Sequence, residues 1–117
     1  QLNENTRAFG VRYTAHVGYA GGGAMNQAMT LFAVLNGKLK PVLTVETYQF
    51  ADLAGDWNPD STRQHHVESA EYILKMSPKQ THGFYNIVWR ETRSRRPQQK
   101  TFTWQPAQQR YVESKSR

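Results

Sequence analysis

The chain has 117 residues, the length of a single domain with one modest core. It holds no cysteine, which excludes thiol catalysis, disulfide bridges and cysteine-ligated zinc. The net charge of +6 lies wholly in the last quarter: residues 1–89 balance seven basic against seven acidic side chains. Residues 90–117 set Arg90, Arg93, Arg95, Arg96, Lys100, Arg110, Lys115 and Arg117 against only Glu91 and Glu113.

Residues 1–6 are polar and read as loose. From Ala8 the chain alternates, with Phe9, Val11, Tyr13, Ala15, Val17 and Tyr19 on one side and Arg12, Thr14 and His16 between them. That period predicts a long strand, ended by Gly21-Gly22-Gly23. The strongest local signal is Asn36-Gly37 between two alternating runs, Met29–Leu35 and Leu39–Gln49. Asn-Gly accepts the two positive φ angles of a type I′ turn, so the pair predicts a β-hairpin. Residues 51–68 carry Gly55 and Pro59, show no period and read as the longest irregular stretch.

Strand character returns at Ala70–Met76, and Ser77–Gly83 reads as a turn. Phe84–Arg93 is a further strand, followed by the basic loop Arg95-Arg96-Pro97-Gln98-Gln99. Thr101–Trp104 and Arg110–Val112 close the chain around Pro106–Gln109. The expectation is an all-β domain spanning 1–117, with 1–6 and 113–117 flexible. Its architecture reads as a single antiparallel meander of about seven strands, a partly open barrel or a small sandwich. Three Trp, six Tyr and five Phe supply the bulk of its core.

Asp56, Asn58 and Asp60 place oxygen ligands at alternate positions of a tight loop, the pattern by which a hard cation is gathered. The segment Ala54–Arg63 resembles the calcium loop of FG-GAP and VCBS repeat proteins, roughly Gly-Asp-x-Asn-x-Asp-Gly. The resemblance implies a propeller-like blade that binds calcium. Ser61 stands where the family has Gly, and no bidentate Glu ends the loop. The expectation is millimolar Ca²⁺ affinity or none, and no other cofactor. His65 and His66 are adjacent, so on a strand they face opposite ways and cannot chelate one ion. No Gly-x-Ser-x-Gly elbow, His-Glu-x-x-His helix or paired-carboxylate spacing points to turnover.

The basic last quarter is interleaved with Trp89, Phe102, Trp104 and Tyr111. Small β-barrels bind single-stranded nucleic acid with such residues, by stacking and phosphate neutralisation. The spacing of Phe102 and Trp104 fits inward core positions better. As a whole the chain resembles small exported bacterial β proteins, among them periplasmic inhibitors and immunity proteins. That resemblance implies a non-enzymatic protein-binding module whose partner is a secreted toxin or hydrolase. The expected contact residues are Trp57, Arg63, His65 and His66 in the 51–68 stretch, and Arg95 and Arg96 in the basic loop, since Trp and Arg are the usual interface anchors. The first residue is Gln and not Met, consistent with a cleaved signal and a periplasmic or secreted protein. No apolar run approaches the roughly 20 residues of a membrane-crossing helix.

Overall fold

A computed structural model of the chain describes residues 1–19, 22–57, 59–60 and 63–114, with the side chains of 17, 19, 53–57 and 63–66 outside the description. Seven strands follow one another: β1 (Ala8–Tyr19), β2 (Gly22–Leu35), β3 (Lys38–Trp57), β4 (Arg63–Thr81), β5 (Phe84–Thr92), β6 (Gln99–Gln105) and β7 (Arg110–Glu113). Each pairs antiparallel with the next in a single sheet of order β1 to β7. The described residues contain no helix, and the sheet is not closed into a barrel.

The expected hairpin is present, with Leu35 opposite Lys38 across the turn. Asn36 (φ 51°) and Gly37 (φ 78°) both lie in the left-handed region, as a type I′ turn requires. The turn expected over Ser77–Gly83 is shorter. β4 runs on to Thr81, and His82 (φ 53°) and Gly83 (φ 83°) alone make a second turn of the same kind. Pro78 had pointed to a break; its missing N–H is absorbed by a register irregularity between Met76 and Gln80.

The reading of residues 51–68 as irregular is overturned. Residues up to Trp57 belong to β3 and those from Arg63 to β4, with Asp52 opposite Val67 and Trp57 opposite Arg63. Apolar alternation marks a strand only where one face is dry. Among the described side chains between Glu46 and Glu71 none belongs to the buried cluster, and of them only Ala70 packs against it, so little selects for the pattern there.

The core sits at one end of the molecule. It comprises Leu2, Ala33, Val42, Leu43, Val45, Tyr72, Ile87, Trp89, Trp104 and Tyr111. Register shifts between Gln27 and Ala28, and between Leu31 and Phe32, interrupt the β2–β3 ladder on either side of the Leu31–Leu43 pair. Such bulges add twist and bend. The coiled sheet brings β3 against β7, where Lys40 Nζ donates to Gln109 Oε1. Phe84 stacks on Trp104 at 4.1 Å and Tyr111 meets Trp104 edge-on at 5.3 Å. Burying each such side chain is worth about 1.5–3 kcal/mol. Residues 2–6, read as loose, are docked instead: Leu2 is 2% exposed, its carbonyl accepts from Tyr85 N at 2.8 Å, and Asn3 Nδ2 donates to Gly83 O. Residues 115–117 lie outside the description.

Beyond the core, β1 to β4 continue as an arm. β5 stops at Thr92, opposite Glu71, while β4 extends back from there to Arg63. The molecule measures 62 × 32 × 20 Å. Its radius of gyration is 18.6 Å, against about 13–14 Å for a compact chain of this length.

Candidate functional site

The basic loop leaves β5 at Thr92 and enters β6 at Gln99. Two reciprocal hydrogen bonds close its neck: Glu91 N donates to Gln98 O at 2.9 Å, and Gln98 N donates to Glu91 Oε1 at 3.1 Å. Inside the loop, Arg96 N donates to Ser94 Oγ at 3.2 Å, a side-chain turn, and Arg93 takes a positive φ of 61°. Arg93 lies 3.8 Å from the Glu71 carboxylate, which ties the loop to β4. Arg95 and Arg96 are exposed at its tip. A braced loop carrying two guanidinium forks is pre-organised to meet carboxylates, because little ordering remains to be done on contact.

The other expected contact residues lie elsewhere. Trp57 and Arg63 face each other at the end of the arm, and His65 and His66 follow on β4, paired with Ala54 and Leu53. The side chains of these four lie outside the described ones. The run from Arg63 to Glu71, at about 3.3 Å per residue, spans roughly 26 Å. The structure therefore does not gather Trp57, Arg63, His65 and His66 with Arg95 and Arg96 into one site. Two separate presentations exist, an arm tip and a braced loop at the arm's foot.

Of the calcium candidates, Asp56 belongs to the end of β3 with its side chain undescribed, Asn58 lies outside the description, and Asp60 is exposed in the turn. Among the described residues no group of three His, Asp or Glu side chains is placed to hold a metal ion. Among the aromatic residues interleaved with the basic ones, Trp89, Trp104 and Tyr111 are buried in the core and Phe102 packs against it. They serve the packing of the core, as the spacing of Phe102 and Trp104 suggested.

A cleft of about 360 Å³ lies beside the core, lined among others by Glu46, Gln49, Tyr72, Trp89 and Lys100. Tyr72 stacks on Trp89 at 4.2 Å, and its hydroxyl accepts from Gln49 Nε2 at 3.2 Å. Trp89 Nε1 donates to Glu46 O at 2.7 Å. Burial, and then the Glu46 and Glu91 carboxylates, push the Tyr72 hydroxyl above its ordinary value. It stays a neutral phenol at physiological pH, a hydrogen-bonding group and not a nucleophile. Lys100 Nζ sits 5.4 Å over the Trp89 ring and 3.4 Å from Glu113. Sequence reasoning missed this cleft, since Glu46, Tyr72 and Trp89 lie on three different strands and meet only once β3, β4 and β5 pair.

The exposed stripe of β1 was also missed as a surface. Phe9, Val11 and Tyr13 are 52%, 45% and 50% exposed. Alternation revealed the strand, but not that it lies at the edge of the sheet.

No family model matches this chain, and no curated protein or solved structure does.

Proposed function

We propose that the protein is a non-enzymatic protein-binding module of the inhibitor or immunity type. In this reading it works in the periplasm or outside the cell and directs its basic loop into an acidic cleft of a toxin or hydrolase. The observation that carries it is the braced loop, with Arg95 and Arg96 exposed above a neck closed by the Glu91–Gln98 hydrogen bonds. Exposed arginines on a pre-ordered loop are suited to anchoring an interface, and the net charge of +6 speeds encounter with an acidic partner.

The test is affinity capture from extracts of the source organism, followed by titration of the captured protein. The double variant Arg95→Glu, Arg96→Glu is expected to weaken binding by about tenfold or more. Trp57→Ala tests the arm tip in the same assay. A partner bound with unchanged affinity by both variants would overturn the assignment of these surfaces, and turnover of the captured protein would overturn the non-enzymatic reading.

A further inference from the structure

The two edges of the sheet are built differently. β7 is four residues long, its Tyr111 is buried, its Glu113 pairs with Lys100, and β3 packs against it. Short length, charge and cover are the usual protections of an edge strand. β1 is neither short nor, among the described residues, covered, and Arg12 is its one formal charge. It is 12 residues long and pairs with β2 without a register break, from Ala8 opposite Ala33 to Tyr19 opposite Gly22. It contains no proline and no lysine. Every residue from Phe9 to His16 is exposed, on both faces of the strand. Its outer row of backbone N–H and C=O groups is presented along the whole length, beside an apolar stripe of Phe9, Val11 and Tyr13.

We propose that β1 pairs antiparallel with β1 of a second copy of this chain, forming a two-fold dimer with one continuous sheet of fourteen strands. A two-fold antiparallel ladder must be centred on one residue, and side chains and length choose which. Centring on Arg12 sets two guanidinium groups directly opposite, a destabilising pair. Centring on Tyr13 uses almost the whole strand and sets Tyr13 against its symmetry mate. It also places Val11 opposite Ala15, Arg12 opposite Thr14 and Gly10 opposite His16. Aromatic pairs across strands are favourable, and no like charges meet. The apolar stripes of the two copies then fall on the same face and meet edge to edge.

The area sets the strength. A strand of this length runs about 40 Å in a sheet about 10 Å thick, so the pairing buries roughly 800 Å² in all. That lies below the roughly 1,200 Å² of standard stable complexes, so the dimer is weak and concentration-dependent. This inference is independent of the Arg95–Arg96 loop, which lies on the β5–β6 side of the sheet.

Sedimentation and light scattering of the full chain across micromolar to millimolar concentrations read the dimer directly. The wild-type protein is expected to shift from monomer to dimer, and Tyr13→Lys to abolish the shift. Val34→Lys, on an exposed residue of β2 just outside the β1–β2 ladder, is expected to leave it unchanged. The absence of cysteine makes cross-linking clean. Opposed residues of an antiparallel pair have Cα atoms about 4.5–5.5 Å apart, within disulfide reach. Tyr13→Cys should therefore oxidise to a covalent dimer and Val34→Cys should not. A wild-type protein that stays monomeric at millimolar concentration overturns the proposal, and this measurement needs no variant to fold. Loss of the dimer in Val34→Lys, or cross-linking through Val34→Cys, also overturns it in favour of face-to-face stacking.

Discussion

At the scale of single residues, the buried tyrosines carry the clearest chemistry. Tyr111 is 1% exposed, and its hydroxyl donates to Tyr85 O at 2.7 Å. Burial pushes its ionisation well above the ordinary tyrosine range. An acid whose proton is held more tightly in the folded state contributes stability fully below its unfolded pKa and loses it as pH rises through the folded one. The loss therefore begins near pH ~10, where an unfolded tyrosine ionises. Tyr111→Phe removes the hydroxyl and leaves the Tyr85 carbonyl short of a partner. It is expected to cost about 1–3 kcal/mol at neutral pH. Above pH ~10 the gap to wild type narrows, because the variant has no phenol to ionise there. Urea unfolding at neutral and alkaline pH checks both halves. A constant gap across that range would contradict the linkage.

At the scale of elements, the two-residue turns fix the register of the meander. Gly37 (φ 78°) and Gly83 (φ 83°) hold conformations that a β-branched side chain resists. Gly37→Val is expected to destabilise the fold by about 1 kcal/mol or more, read as a lower urea midpoint with the slope unchanged. An unchanged midpoint would mean that the turn does not set the pairing. The hairpin around Asn36-Gly37 was legible in the sequence because Leu43 and Val45 face the core on one side while Thr44 faces water, so the period survives. The strands through Asp52 and Val67 were illegible for the converse reason. Val67 is exposed and none of the described residues from Phe50 to Ser69 belongs to the buried cluster, so solvent imposes no alternation on them. Leu2 escaped notice because one apolar residue in a polar segment has no period to betray it. Of the candidate site, the identity of Arg95 and Arg96 was readable from charge and loop composition. The Glu91–Gln98 brace was not, because the neck forms only once β5 and β6 pair.

At the scale of the whole molecule, a core at one end supports a sheet extending to 62 Å. Amide exchange should divide the chain accordingly. Ile87 and Trp89, in the buried cluster, are expected to exchange only through global unfolding. Glu68 to Ala70, on the arm between Glu71 and the tip, should exchange by local opening at lower free energy. Equal protection in the two segments would show that the arm and the core unfold as one unit. The charge follows a similar division. The excess resides in the chain from Arg90 onward, whose described part, from Arg90 to Ser114, runs through the core end and the arm's foot, while residues 1–89 are neutral in sum. Long-range attraction thus acts on the end that carries the braced loop.

The coreless arm has an evolutionary consequence. At an arm residue outside the buried cluster, such as Val67 or Glu68, a substitution changes a local opening equilibrium and leaves the packing of Trp89, Trp104 and Tyr111 untouched. Such exposed positions of the arm can therefore drift residue by residue without eroding the stability margin of the fold. The surface of the arm is free to diversify among descendants while the scaffold stays constant, and mutational tolerance along this molecule rises with distance from its buried aromatics.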